Sequence, residues 1–135
     1  MATKKGPKEE QLSIGLKALT KCIKTKSDVH NAFLRIGFGY ITLIYGEVGN
    51  PKDDFKPGYG ITHILAKRNY ENKDGLDVAK KLIEVLIYGT IQLPAKKEDQ
   101  IEKIVIVKDG YLATVALKWY GNNISWLLSG YKLKK

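Results

Sequence analysis

The chain has a single cysteine, Cys22, so it can form no internal disulfide and offers no cysteine-rich zinc site. Its fold must hold by packing alone. Histidine is nearly as scarce, with His30 and His63 too far apart in sequence for zinc-ligand spacing. No stretch has the roughly 18 consecutive apolar residues of a membrane-spanning helix. The amino terminus, MATKKGPKEEQ, also lacks an apolar run of signal-peptide length. Membrane insertion is therefore not expected. A cytoplasmic location is, or delivery into a target-cell cytoplasm if the chain is cut from a larger secreted effector. The glycine patterns of nucleotide-binding loops are missing, since GYG matches neither a Walker loop nor a dinucleotide fingerprint. Ser129 lacks the GxSxG setting of a hydrolase nucleophile. Glu47, Asp53 and Asp54 read as solvated loop carboxylates rather than a hard-cation site. No metal and no cofactor is expected. Acidic residues are the minority charge, 14 against 23 Lys plus Arg, and the net +9 calls for an acidic partner, nucleic acid first. An anionic membrane surface or an acidic protein inhibitor fits the same charge.

What is present suffices for one core. In a chain of 135 residues, 44% hydrophobic, residues 1–10 read as a disordered basic tail and residues 11–135 as a single domain. From Gln11, Leu12, Leu16, Leu19 and Ile23 recur at helical spacing, with Lys17 and Lys21 on other sides. SDVHNAFLRIG, with Ser27 or Asp28 as N-cap and Gly37 as stop, predicts a second short helix carrying His30. Tyr40 to Gly46 is rich in β-branched and aromatic residues and predicts a first strand before the Asn50-Pro51 break. ITHILAKRNY predicts a short helix. GLDVAKKLIEVLIYG predicts a stronger one, with Leu76, Ala79, Leu82, Ile83 and Leu86 on one face and Gly89 at its end. The remainder reads as three strands joined at Asp109-Gly110 and Gly121-Asn122-Asn123, an antiparallel meander. The expected class is α+β, with amino-terminal helices packed on a small antiparallel sheet of about four strands.

The residues with chemistry gather around KPGYGITHILAKRN. On a helix of about 100° per residue, Ile61, Ile64 and Leu65 share one face and His63, Lys67 and Tyr70 the opposite one. An imidazole is the side chain whose ordinary titration lies nearest neutral pH, which suits general acid-base work. The glycines of PGYG permit tight turns, and the helix start behind them is expected to offer free N–H groups to an anion. His63 on this spacing alone also fits a surface histidine without chemistry, and His30 reads as an ordinary polar residue. Trp119 and Trp126, among Leu117, Leu127 and Leu128, read as core rather than as base-stacking platforms.

Two blocks of this sequence resemble the phage and toxin nucleases of the barnase, EndoU, colicin and RelE-like (BECR) fold. Gly58, Gly60, His63, Ile64 and Lys67 match the family's glycine turn, His-Ile pair and basic residue. Trp126, Leu127, Leu128, Ser129, Gly130, Tyr131 and Lys132 match its terminal strand, close to Trp-Leu-Leu-Thr-Gly-Tyr-Lys. The resemblance spans roughly Gly37 to Lys132. It departs at Arg68, where the family often has a second histidine, and at Ser129, where threonine is usual. Arg68 cannot shuttle protons, so a mechanism needing two histidines does not transfer.

The resemblance implies a metal-independent endoribonuclease, often a toxin with a cognate antitoxin or immunity protein. His63 would be acid or base, Lys67 and Arg68 would hold the phosphate, and Ser129 and Tyr131 would donate hydrogen bonds to it. Gly58, Tyr59, Gly60 and Lys132 would contact the RNA, a tRNA among the candidate substrates. The last strand is then expected beside the His63 helix. A nucleic-acid-binding module without catalysis, or a structural phage or plasmid protein, is the alternative.

Overall fold

Leu12, Leu16, Leu19 and Ile23 do wind into one helix, and it starts before Gln11: in the computed structural model, which describes residues 6–92, 103–119 and 121–133, α1 is Pro7–Thr25. Pro7 is well suited to a first helical turn because its missing N–H would have no partner there, and Glu9 and Glu10 favour the positive end of the helix dipole. Part of the expected tail is thus helical, and residues 1–5 lie outside the described residues. The remaining elements are β1 (Val29–Arg35), β2 (Gly39–Leu43), α2 (Gly60–Tyr70), α3 (Gly75–Tyr88), β3 (Thr90–Gln92), β4 (Lys103–Lys108), β5 (Tyr111–Ala116) and β6 (Trp126–Lys132).

The segment expected as a second helix is strand β1, paired antiparallel with β2. Its strand character is hidden because the register shifts between Val29 and Phe33, with Asn31 at φ +49°, so Ala32 and Phe33 are buried in succession. Period two is lost there. The Asn31 N–H is satisfied by the Thr42 hydroxyl at 3.0 Å. Asp28, expected to cap a helix, instead accepts the Tyr45 N–H at 2.8 Å.

Six strands, not about four, form one mixed sheet in the order β1-β2-β6-β5-β4-β3. Every pairing is antiparallel except β2 with β6, which run parallel and meet at Thr42 and Trp126. The expected meander is present as β4, β5 and β6. β3 is three residues long, too short to display a period, and exists by pairing with β4.

α3 packs on β4, β5 and β6 while α1 lies against β1 and α3, giving a core of Leu19, Phe33, Ile41, Ile64, Leu82, Leu86, Ile106 and Val115. Leu76, placed by the wheel on the same face, is exposed in the first turn. Cys22 lies in this core and burial pushes its thiol up to about 11, so it remains protonated and unreactive. A smaller cluster of Ile44, Ala116 and Trp126, with Tyr59 and Trp119 against it, gathers the two tryptophans with their ring centroids 4.9 Å apart.

Arg35 ties the sheet to the end of α3. Its Nη1 and Nη2 donate to the carbonyls of Leu86 and Gly89, both at 2.8 Å, at the negative end of the helix. Burial draws its pKa below the ordinary guanidinium value. Arg35→Met is expected to destabilise the fold by about 2–4 kcal/mol, since two charge-assisted bonds are lost and two carbonyls are orphaned. Urea melts at constant m-value check it.

Candidate active site

α2 follows the loop 46–59, whose backbone folds back on itself: Glu47 and Tyr59 exchange N–H···O bonds of 3.0 and 2.9 Å. Two of the free N–H groups in the first turn of the helix are taken, Ile61 donating to Ile44 and Thr62 to Tyr45, both at 2.9 Å. The helix start is thus stitched to the chain after β2. The expected anion site on those donors is not available, because the protein's own carbonyls occupy them.

The glycines serve closeness instead. A side chain at Gly60, which sits at φ +81°, would meet the Ile44 carbonyl at 2.6 Å. At Gly58 a Cβ would run into His63 Nδ1 and the carbonyls of Val48 and Phe55. Gly58→Ala should therefore displace the imidazole, costing about 1–3 kcal/mol of stability by overpacking. Thermal melts test it.

The helical wheel holds for His63, Lys67 and Tyr70, but the loop covers the His63 part of their face and leaves Tyr70 exposed. Phe55 of the loop, itself buried, lies edge-on to His63 with centroids 6.4 Å apart and to Tyr70 at 5.3 Å. Lys67 pairs with Asp54 at 3.5 Å. His63 is 8% exposed, so the reading of it as a surface residue is corrected. Its Nδ1 lies 3.1 Å from the Val48 carbonyl. A carbonyl only accepts, so Nδ1 carries the proton and Nε2 the lone pair of the neutral ring. Among the described residues Nε2 has no partner, and the only fully buried side-chain nitrogen or oxygen without one is Arg68 Nε. Nε2 therefore keeps a path to solvent.

About 140° around the helix from His63, Arg68 continues the apolar face of Ile61 and Ile64. It is 7% exposed. Nη1 pairs with Glu71 at 3.2 Å, and the guanidinium lies over the Tyr131 ring at 5.8 Å. The last strand thus stands beside α2, where Arg68 meets Tyr131. Arg68, Glu71, Lys73, Tyr131 and Lys132 line a cleft of about 550 Å³. No residue of α3 enters it, and His63 is not among its walls.

Ser129 is half-buried and stands across from Thr114, just past an irregularity in the β5–β6 register. It shares a strand face with Tyr131, two residues on. Tyr59 packs against Trp119 and Trp126 at 5.7 and 5.9 Å, within the smaller cluster. His30 is exposed on the edge strand β1. The structure thus brings Arg68, Tyr131 and Lys132 together, and joins His63 and Lys67 through the loop.

Sequence reasoning passed over Glu71 and Lys73. They follow the end of α2, where Asn72 at φ +62° turns the chain and the Lys73 N–H returns to the Arg68 carbonyl at 3.0 Å. The signal available was ENKDG, which reads as a helix stop and gives no hint of a cleft. Among the described residues no group of three or more His, Cys, Asp or Glu side chains could hold a metal ion, and no helix is long and apolar enough to cross a membrane.

A family model described as phage-Barnase-EndoU-ColicinE5/D-RelE like nuclease 1 matches residues 32–135, from β1 through the end of the chain. No curated protein and no solved structure matched. The matched span contains both the His63 helix and the β6 strand that meets it, and the chain belongs to the phage Barnase-EndoU-ColicinE5/D-RelE-like nuclease 1 family.

Proposed function

We propose that the protein is a metal-independent endoribonuclease that cleaves RNA by attack of its own 2′-hydroxyl, with His63 moving the proton. The observation that carries this reading is the imidazole itself, its Nδ1 committed to the Val48 carbonyl and its Nε2 left open, on a nuclease fold. Nε2 accepts the 2′-hydroxyl proton as the 2′-oxygen bonds to phosphorus. The bond from phosphorus to the 5′-oxygen breaks, and the imidazolium returns the proton to that oxygen, leaving a 2′,3′-cyclic phosphate. Arg68 and Tyr131 hold the phosphate, with Ser129 on the same strand face. Cations stabilise the extra charge of the phosphorane, and Arg68 supplies a fixed one in a partly dehydrated position. Lys67, tethered to Asp54, adds its field at the far side of the helix.

Gly58, Tyr59 and Gly60 act through the loop that seats the imidazole, and Lys132 through the cleft. The net charge of +9 draws RNA and suits an acidic antitoxin or immunity protein as partner. The purified protein is expected to cut total RNA in excess EDTA and to leave cyclic phosphate ends. Activity abolished by chelation and restored by magnesium would overturn the mechanism. The second reading, a binding module without catalysis, draws on His63 standing apart from the cleft walls. A wild-type protein that binds RNA and leaves it uncut favours it.

A further inference from the structure

The cleft is larger and more cationic than one phosphate requires. About 550 Å³ lies within the range of whole small-molecule sites, roughly 300–1,000 Å³. Of its three cations, Arg68 is already paired with Glu71, whereas Lys73 and Lys132 have no ion-pair partner among the described residues. Both lysines also leave a fixed backbone. The Lys73 N–H is held by the Arg68 carbonyl at 3.0 Å, and Lys132 pairs with Tyr111 in the sheet just before the Leu133 N–H meets the Gly110 carbonyl at 2.6 Å. Two lysines without an ion-pair partner among the described residues, lining one opening from a helix end and a strand end on anchored backbone, attract a second anion rather than share the first.

We propose that Lys73 and Lys132 form a subsite for the phosphate that flanks the scissile one. The protein then grips a run of RNA backbone, with Glu71 holding Arg68 in place until the substrate arrives. This rests on the RNA reading above, and its signature is a dependence on substrate length.

The test compares binding of randomised 2′-O-methyl oligonucleotides, which cannot be cleaved, with one or two internucleotide phosphates. The wild-type protein should gain on the order of tenfold in affinity from the second phosphate, as one more counterion-releasing contact forms. Lys73→Gln/Lys132→Gln should gain less than about twofold and should show a log affinity against log salt slope flatter by about 0.7. Lys17→Gln/Lys21→Gln, on the exposed side of α1, should keep the wild-type length step. An unchanged length step in the Lys73/Lys132 variant overturns the subsite, as does its absence in the wild type. Because no bond is cut in this assay, a failed cleavage reading with an intact length step remains distinguishable from a failed subsite.

Discussion

His63→Asn is expected to lower saturated turnover on RNA by about 100-fold or more, the ordinary scale of acid-base catalysis, while the protein stays folded. Asparagine is the informative choice because its amide nitrogen falls near the position of Nδ1 and can go on donating to the Val48 carbonyl, 3.1 Å away in the native structure. What it lacks is Nε2. Loss of the edge contact with Phe55 should cost about 0.5–1.5 kcal/mol, too little to unfold a stable domain. Alanine is a poorer probe, since it abandons the carbonyl and leaves a void under Phe55, so stability and activity would fall together. Rates at saturating RNA, read beside a thermal melt, separate the two effects. A folded, fully active His63→Asn protein would remove the imidazole from the mechanism.

Arg68→Met should lower turnover by about 10²–10³-fold, the cost of deleting one fixed donor to a developing anion, without lowering stability. The magnitudes on the two sides explain why. Removing the guanidinium forfeits a cation–π contact with Tyr131 worth about 0.5–1 kcal/mol and an ion pair with part-exposed Glu71 worth about 0–1 kcal/mol. It also removes a buried Nε that has no partner, a defect of about 1–3 kcal/mol. Methionine fills the space and still touches the ring. A residue whose loss spares the fold and abolishes the reaction is kept for function. Arg68→Lys, which keeps the charge but not the fork, should recover only part of the rate. A variant that unfolds and loses activity in proportion would make Arg68 a packing residue, and the cleft would then have no claim on the phosphate.

Both residues stood out in the sequence, yet their surroundings did not. The wheel put His63 with Lys67 and Tyr70 correctly, because helical spacing is a local property of consecutive residues. It could not show that Phe55 and Asp54, from a loop that looked merely solvated, lie over that face. Arg68 was expected as a cation beside histidine, whereas burial against Tyr131 sets it apart from Lys67, its neighbour in sequence. Glu71 and Lys73 were invisible, since a helix stop looks the same whether or not a strand sixty residues away faces it.

Elements with a clean period were legible from residues alone. α1, α2, α3 and the strands β4, β5 and β6 follow from apolar spacing, and the turn at Asp109-Gly110 from its chemistry. So did the membership, because the two matched blocks are short runs of identity that need no geometry. β1 and β3 were decided by pairing: a bulge erased the alternation of one, and the other is too short to have any. The parallel contact of β2 with β6 was likewise tertiary, for no local signal says which edge a strand will take. The same holds for the site. Sequence determined which side chains can carry charge and protons, and each keeps that chemistry wherever it lies. Only the packing of the loop on α2, and of α2 on β6, decided which of them are dry, which nitrogen of His63 is free, and which basic residues line one opening.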